Sequence, residues 1–278
     1  MAKILRGIAV PPFSDNPEEF ADFGVEVEQA GFDGYFLWDH MVFSNSGEGP
    51  PILDPWLILA VVAARTSKIK IGTMVTPVPR RRPWQLAKET TTLDLLSKGR
   101  VVLGVGIGSP SYGDFGLFGD PSGERERADL LDEGLDIMAG LWSGERFGYQ
   151  GEKYKIDPVR FAPTPVQQPR IPVWVAGILP NRRPIERAAR WDGFVPIRYD
   201  NTGLVRPSAG DFKEVGARIA DQRGNLDDYD LAVWAEVAKQ PAEEIDAYAE
   251  AGATWWIETA RPEPDWWPGI KDRVVAGV

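Results

Sequence analysis

Short runs typical of β-strands alternate with helical stretches along the whole of this chain, and this alternation limits the folds open to it. The pattern predicts eight strands, most of them continuous apolar runs, as expected of parallel strands covered on both faces. The predicted strands are Ile4–Val10, Gly34–Trp38, Lys70–Val75, Arg100–Gly106, Pro172–Ala176, Gly193–Ile197, Leu231–Glu236 and Thr254–Glu258.

A helix is predicted after each strand. On the fourth of them, Leu131, Leu135 and Met138 recur on one helical face, which we expect to pack against the strands. The predicted helices are Pro17–Ala30, Pro55–Ser67, Pro83–Ser97, Glu124–Trp142, Arg182–Arg190, Ser208–Arg223, Ala242–Glu250 and Trp267–Ala276.

Eight strand–helix repeats favour an α/β fold of the closed (β/α)8 type, a TIM barrel, over an open doubly wound sheet, which usually has fewer strands. The 278 residues suit one barrel, so we expect a single domain over residues 1–278. The long connection Ser143–Ile171 is predicted to be an insertion between strands four and five that wraps the barrel or covers part of its mouth.

Composition excludes several classes of function. The formal net charge of −10 repels phosphate backbones and anionic lipids, so nucleic acid and membranes are not expected partners. With no cysteine and His40 as the only histidine, thiol chemistry is excluded and no metal site is predicted. The N-terminal apolar stretch is too short and too polar for a membrane span, so we expect a cytoplasmic protein.

The active site of such a barrel forms from the segments that follow its strands. Asp39 and His40 follow the second strand and place a carboxylate beside the only imidazole, which suits acid–base chemistry. In the alternative interpretation, Asp39 caps a loop and His40 packs as a polar core residue.

After the third strand, Thr73, Met74 and Val75 lead into a proline-rich loop and the run Arg80–Arg82. The arginines are interpreted either as a solvated surface or as a site for an anionic cofactor tail.

Glycines mark the next two strand ends. Gly104, Gly106 and Gly108, with Ser109 behind them, let a flat ligand or a phosphate approach the backbone; their spacing is not that of a dinucleotide fingerprint. After the fifth strand, Gly177 precedes a helix that Asn181 is predicted to cap, and this segment is either a phosphate site or only a tight turn and cap.

The pair Trp255–Trp256 lies in the last strand. Because successive side chains of a strand point to opposite faces, one ring is expected inside the barrel and the other among the helices, with no catalytic role.

Six blocks of sequence up to about residue 197 resemble the luciferase-like monooxygenase superfamily, which includes bacterial luciferase-like enzymes and F420-dependent oxidoreductases. They are AGFDGYFLWDH (30–40), IGTMVTPVPRRRPWQLAKE (71–89), TLDLLSKGRVVLGVGIG (92–108), GERERADLLDEGLDIMAGLWSG (123–144), PVWVAG (172–177) and ARWDGFVP (189–196).

This resemblance implies a cofactor at the barrel mouth, either the deazaflavin coenzyme F420 or FMN. The Asp-His pair is similar to the F420 branch, in which Asp39 would contact the ring and His40 would act on the substrate side. Thr73, Met74 and Val75 correspond to a bulge behind the ring, with Met74–Val75 as the candidate for a non-prolyl cis peptide.

The resemblance also implies backbone contacts to the ring or phosphate. The implied cofactor-binding residues are Asp39, Thr73, Met74, Val75, Gly106, Ile107, Gly108, Ser109, Ala176, Gly177 and Ile178. Ser109 departs from the glutamate that sugar-phosphate dehydrogenases of the F420 branch carry, which counts against a glucose-6-phosphate-type substrate.

The predicted function is hydride transfer between F420 and a small organic substrate, with His40 as the catalytic proton relay. The nearest alternative is an FMN-dependent monooxygenase that receives reduced flavin from a reductase and activates O₂. A hydrolase using Glu236 and Glu258, and a non-catalytic barrel, are the remaining alternatives. A homodimer is expected, as in many members of the superfamily.

Overall fold

The computed structural model describes residues 4–201, 203–236, 242–260, 262 and 266–278. Each predicted strand and helix overlaps an observed one. The strands are β1 Leu5–Val10, β2 Gly34–Leu37, β3 Lys70–Pro77, β4 Val101–Gly106, β5 Arg146–Gln150, β6 Lys155–Arg160, β7 Val173–Ile178, β8 Gly193–Asp200, β9 Gly203–Val205, β10 Asp230–Glu236 and β11 Trp255–Thr259. The helices are α1 Pro17–Gln29, α2 Pro55–Arg65, α3 Pro83–Ser97, α4 Glu124–Trp142, α5 Arg182–Ala188, α6 Ala209–Arg223, α7 Ala242–Glu250 and α8 Trp266–Val275.

Eight of the strands form a closed parallel barrel. They pair in the order β10, β11, β1, β2, β3, β4, β7, β8, and β8 returns to β10 to close the ring. The (β/α)8 prediction is therefore confirmed. Since the strands are parallel, all eight carboxyl ends lie at the same rim, where the functional site is expected.

Side chains of the strands point alternately inward and outward. The inward residues fill the barrel with their own cluster, which includes Phe36, Trp174 and Trp255. Trp256 lies instead in the larger core between the strands and the helices. The prediction that these adjacent tryptophans face opposite ways is confirmed.

The insertion after α4 contains an antiparallel hairpin of β5 and β6 that the sequence did not reveal. It lies against the outer helices: the Lys88 ammonium of α3 donates to the carbonyl of Ala162, and Trp84 meets Tyr154 edge to face. None of its residues borders the cavity at the barrel mouth. The connection thus wraps the barrel.

β9 is a second element that the sequence did not predict. It pairs antiparallel with the end of β8, beyond the barrel. This small ribbon brings Tyr199 and Leu204 to the mouth of the barrel.

No helix within the described ranges has both the length and the apolar character needed to cross a membrane. The cytoplasmic location and the single-domain organisation over residues 1–278 stay predictions.

Candidate active site

A cavity of about 840 Å³ opens at the carboxyl ends of the barrel strands. This size falls within the range of cofactor and ligand sites. Eleven of the twelve site residues predicted from the sequence border it: Asp39, His40, Met74, Val75, Gly106, Ile107, Gly108, Ser109, Ala176, Gly177 and Ile178. The structure thus brings these strand ends together, while their individual roles stay predictions.

Thr73 is the exception. Its side chain is fully buried, and its hydroxyl donates to the carbonyl of Gly104 at 3.1 Å and accepts from the Thr76 hydroxyl at 3.0 Å. Thr73 does not border the cavity, and its predicted contact with a cofactor stays a prediction. It holds β3 against β4 from behind.

β3 is irregular where it borders the cavity. Its register with β4 shifts between Thr73 and Thr76, and the Met74–Val75 peptide bond is cis, as predicted. Opposite the bulge, a Cβ on Gly104 would lie 2.1 Å from the carbonyl oxygen of Thr73. Gly104 is therefore required for packing the bulge, and not for the approach of a ligand as its sequence context indicated.

Gly108, by contrast, has a conformation that favours glycine. Its φ is +71°, and a Cβ there would lie 2.7 Å from the Phe115 ring. This glycine turns the chain sharply after β4 and keeps its backbone at the cavity wall, beside Ile107 and Ser109.

Asp39 is buried within a network of donors. Its Oδ1 accepts from Arg80 at 2.6 Å and Arg81 at 2.9 Å. Its Oδ2 accepts from Arg81 at 3.0 Å and from the Thr76 hydroxyl at 2.8 Å. These four hydrogen bonds occupy the acceptor sites of the carboxylate. Asp39 therefore holds Thr76, Arg80 and Arg81 together at the cavity wall.

The same contacts correct both interpretations of the arginine run. The side chain of Arg80 is only 4 % exposed, and Arg81 is 18 % exposed, so neither belongs to a solvated surface. Both are committed to Asp39 and are not free for an anionic tail. Only Arg82 is exposed, where it lies over the ring of Trp84.

His40 is held by a partner that the sequence did not reveal. Its Nδ1 lies 2.5 Å from Oδ2 of Asp114, a carboxylate only 1 % exposed. Oδ1 of Asp114 accepts from the backbone N–H groups of Met41 and Val42 at 2.7 and 3.1 Å. With Nδ1 turned to this carboxylate, Nε2 is the ring nitrogen left for the cavity.

Asp114 is a stable anion in this position. Burial alone would raise its pKa, but the hydrogen bond and charge of His40 and the charge of Arg80 outweigh burial, so the pKa lies below its ordinary value. The carboxylate therefore stays ionised at neutral pH and can stabilise a protonated His40. This arrangement favours acid–base chemistry over the alternative of a plain core histidine.

Arg127 of α4 is the second residue that the sequence analysis missed. It borders the cavity and is 3 % exposed, yet its Nε and Nη1 have no hydrogen-bond partner among the described residues. Its guanidinium lies over the ring of Phe115. Burial lowers its pKa, with Glu124 opposing this effect. A buried cation without a partner is costly, so this position marks a place for an anion.

The other arginines at this wall already have partners. Arg187 donates to both oxygens of Asp132, at 2.5 and 3.0 Å, and Arg183 donates to Asp132 at 2.8 Å. Asn181 occupies the position before α5, as predicted, but its side chain makes no capping hydrogen bond, so that part of the prediction is wrong.

The carboxylate pair of the hydrolase alternative is not formed. Glu258 is 1 % exposed and its carboxylate is bound by Arg6 and Arg273, the latter donating at 2.6 and 2.9 Å. Its neighbour Ile257 faces the barrel interior, so Glu258 points out towards the helices. A reaction that needs this carboxylate at the mouth is excluded.

Comparisons with known proteins agree with this architecture. The F420-dependent glucose-6-phosphate dehydrogenase of Nakamurella multipartita is 33 % identical over 219 residues, which are 76 % of this chain and 62 % of the relative. An F420-dependent hydroxymycolic acid dehydrogenase of Mycobacterium tuberculosis is 35 % identical over 181 residues, 63 % of this chain and 47 % of the relative. The chain thus spans less than two thirds of the length of these curated relatives.

Among solved structures, the coenzyme F420-dependent tetrahydromethanopterin reductase of Methanopyrus kandleri superposes with a TM-score of 0.75 at 18 % identity, covering 97 % of each chain. This likeness shows a shared fold. The sequence model of the family described as luciferase-like monooxygenase matches residues 5–266. Since that match extends from the first barrel strand to the start of the last helix, the chain belongs to the luciferase-like monooxygenase family.

Proposed function

We propose that this protein is an oxidoreductase that uses coenzyme F420 to transfer a hydride to or from a small organic substrate. One observation carries the proposal: a single cavity joins a histidine held by a buried aspartate, the bulged wall of β3, and an unpaired buried arginine. The first suits proton transfer, the second a flat ring, and the third an anionic tail.

The residues present fit such a cofactor. Met74, Val75 and the backbone of Gly106–Gly108 would hold the ring, and Ala176–Ile178 would lie along its tail. Arg127 would pair with an anionic group of that tail, which would satisfy its unpaired N–H groups. When bound, F420 supplies the hydride chemistry, and the protein supplies position, water exclusion and a proton relay. The F420-dependent relatives support this choice of cofactor.

His40 is the proposed proton relay. Its Nε2 would give a proton to the substrate oxygen in one direction and take it in the other. Asp114 is a positioning residue, because it fixes the orientation of the imidazole and stabilises its charged form. Arg80 joins this pair to Asp39, since it lies 3.1 Å from Asp114 and 2.6 Å from Asp39.

The FMN-dependent monooxygenase, supplied with reduced flavin by a reductase, is the alternative, and oxygen dependence separates the two. Hydride transfer with F420 consumes no O₂, so turnover of a panel of alcohols and ketones should be equal in air and under anaerobic conditions. Turnover only with reduced FMN and O₂ would contradict the proposal.

We also propose that the protein is a homodimer that covers one face of α2. This helix is apolar on all sides, and Leu57, Val61 and Ala64 form an exposed stripe at helical spacing, with Leu57 73 % exposed. A helix that is apolar on every side is normally buried, so a second copy of the chain would cover this stripe.

A further inference from the structure

The side chains that border the cavity divide into two walls of different chemistry. The charged wall comes from the start of α4 and from α5, and consists of Glu124, Arg127, Arg182, Arg183 and Arg187. The aromatic wall comes from the ends of β2, β8 and β10 and the loops after β2 and β4, and consists of Trp38, Phe43, Tyr112, Tyr199 and Trp234.

His40 belongs to the aromatic wall. Phe43 and Tyr112 stack with their ring centroids 4.3 Å apart and their planes 11° apart. The imidazole meets both rings edge to face, at 5.1 Å from Phe43 and 5.5 Å from Tyr112. Trp38 and Trp234 continue the wall, with centroids 6.4 Å apart. A molecule that reaches Nε2 of His40 must therefore pack against aromatic rings.

Few polar groups lie near this wall. Ser109 borders the cavity, and its hydroxyl accepts from the N–H of Ser111 at 3.2 Å. Farther along β8, Arg198 is bound to Asp211 at 2.7 Å. In the part of this wall that the structure describes, His40 is the only group that can carry a positive charge.

The other cations of the charged wall also have acidic partners. Arg183 and Arg187 pair with aspartates, and Arg182 pairs with Glu186 at 2.6 Å. Arg127 is the remaining cation, and the proposed function assigns it to the cofactor. A phosphorylated substrate beside His40 would thus bring a charge to a surface whose only cation, among the described residues, is the proposed proton relay itself, so its desolvation would be poorly compensated.

We infer that the substrate pocket beside His40 selects neutral alcohols or carbonyl compounds with a bulky apolar or aromatic group, and rejects phosphorylated sugars. This inference rests on the proposed function, because it assumes that F420 occupies the rest of the cavity. The stacked pair of Phe43 and Tyr112 is the proposed specificity surface, since buried aromatic rings offer large apolar contact areas.

Binding to the F420-loaded protein tests this inference without turnover. The probes are 1-phenylethanol, acetophenone, cyclohexanol and glucose 6-phosphate, measured by saturation-transfer NMR and by titration. The neutral probes should bind, and the aromatic ones should bind most tightly, whereas glucose 6-phosphate at the same concentrations should give no saturation transfer and should not compete.

Variants locate the binding surface. Tyr112→Ala should weaken 1-phenylethanol binding about tenfold, the loss expected when one aromatic contact is removed, and should leave the F420 dissociation constant within about twofold. Phe43→Leu, a milder change, should weaken it in the same direction. Tyr149→Ala on the β5–β6 hairpin, which does not border the cavity, is the control.

Two results would overturn the inference. If glucose 6-phosphate binds the loaded protein more tightly than every neutral probe, the pocket is not apolar in function, although the F420 proposal would survive. If F420 binds and Tyr112→Ala leaves binding of the neutral probes unchanged, the specificity surface is wrong. Failure of F420 itself to bind would instead overturn the proposed function, and this inference with it.

Discussion

At the scale of single residues, Asp114 decides which nitrogen of His40 faces the cavity. The carboxylate is anchored by two backbone N–H groups and is buried, so it has little freedom to move. A fixed anion at Nδ1 keeps the proton on that nitrogen in the neutral ring and stabilises the imidazolium when Nε2 is also protonated.

Asp114→Asn should therefore lower kcat about 10- to 1,000-fold, because an amide cannot stabilise the imidazolium and can donate to Nδ1 in the wrong tautomer. The kcat of the variant, measured at several pH values, checks this loss. His40→Ala should lower kcat at least as far, with F420 affinity nearly unchanged.

Asp120→Asn, in the same connection between β4 and α4, is the control for Asp114 and should keep kcat within about twofold. A wild-type rate and pH profile in Asp114→Asn would show that the carboxylate does not position the histidine.

Arg127 is expected to lower the stability of the cofactor-free protein and to strengthen the binding of F420. Arg127→Met keeps an unbranched apolar stem and removes a buried, unpaired charge, so the free energy of unfolding of the cofactor-free protein should rise by about 1 kcal/mol. The same variant should bind F420 at least tenfold more weakly, because the partner of the anionic tail is gone. Urea unfolding and fluorescence titration measure the two effects.

Arg125→Met, on the exposed side of the same helix turn, should change neither quantity appreciably. Unchanged F420 affinity in Arg127→Met would remove the anion site from the proposal.

The sequence revealed residues next to strand ends and missed those in between. Asp39 and His40 were predicted because they directly follow a strand. Asp114 lies 74 residues from His40 in an irregular connection, and Arg127 lies on a helix among other charged residues. Neither residue carries a local sequence signal. Asp114 matters because of its tertiary contact with His40, and Arg127 matters because its Nε and Nη1 lack a hydrogen-bond partner among the described residues.

At the scale of elements, an ion-pair cluster joins α4 to α5. Asp132 is the centre of the cluster, and it binds the nearly buried Arg187 and the more exposed Arg183. Burial alone would raise the pKa of Asp132, but hydrogen bonds from Arg187 and Arg183 lower it overall. Since both helices begin at the cavity, this cluster also supports the charged wall.

Asp132→Asn should lower the free energy of unfolding by roughly 2–3 kcal/mol at pH 7, because Arg187 loses its carboxylate partner. A lowered folded-state pKa gives stability that is complete above the ordinary value of 3.8 and disappears as the pH falls through the folded-state value. The difference between wild type and variant should therefore be constant from pH 7 to 5 and shrink below about pH 4.

Urea unfolding at several pH values measures this difference. Asp129→Asn, which removes only the more exposed contact to Arg183, should cost less than about 1 kcal/mol. Equal losses in the two variants, or a difference that grows in acid, would contradict the assignment.

Element prediction succeeded where burial on both faces imposed long apolar runs and failed where it did not. β5 and β6 have mostly exposed side chains, and β6 contains Pro158, which removes a ladder donor and weakens a strand pattern. β9 has three residues, too few to show a period. These strands form because they pair with partner strands in the folded structure, and the pattern of apolar residues does not predict such pairing.

At the scale of the whole molecule, the barrel was predictable because its repeat extends through the entire chain. The proposed homodimer is formed through the exposed stripe of α2. Leu57→Asp combined with Val61→Asp should convert this dimer to a monomer, as measured by light scattering, because the new charges would be buried in the interface without partners.

Val159→Asp, an equally drastic change on the exposed hairpin strand β6, should leave the mass unchanged. A dimeric mass in the α2 variant would place the interface on another face, and a monomeric wild-type protein would contradict the dimer itself.

Titration of the cofactor-free protein with F420 and, separately, with FMN distinguishes the two candidate cofactors. Trp38 and Trp234 border the cavity, so tryptophan fluorescence should report binding. We expect micromolar or tighter binding of F420 and at least tenfold weaker binding of FMN. A preference for FMN, or binding of neither cofactor, would contradict the proposed function.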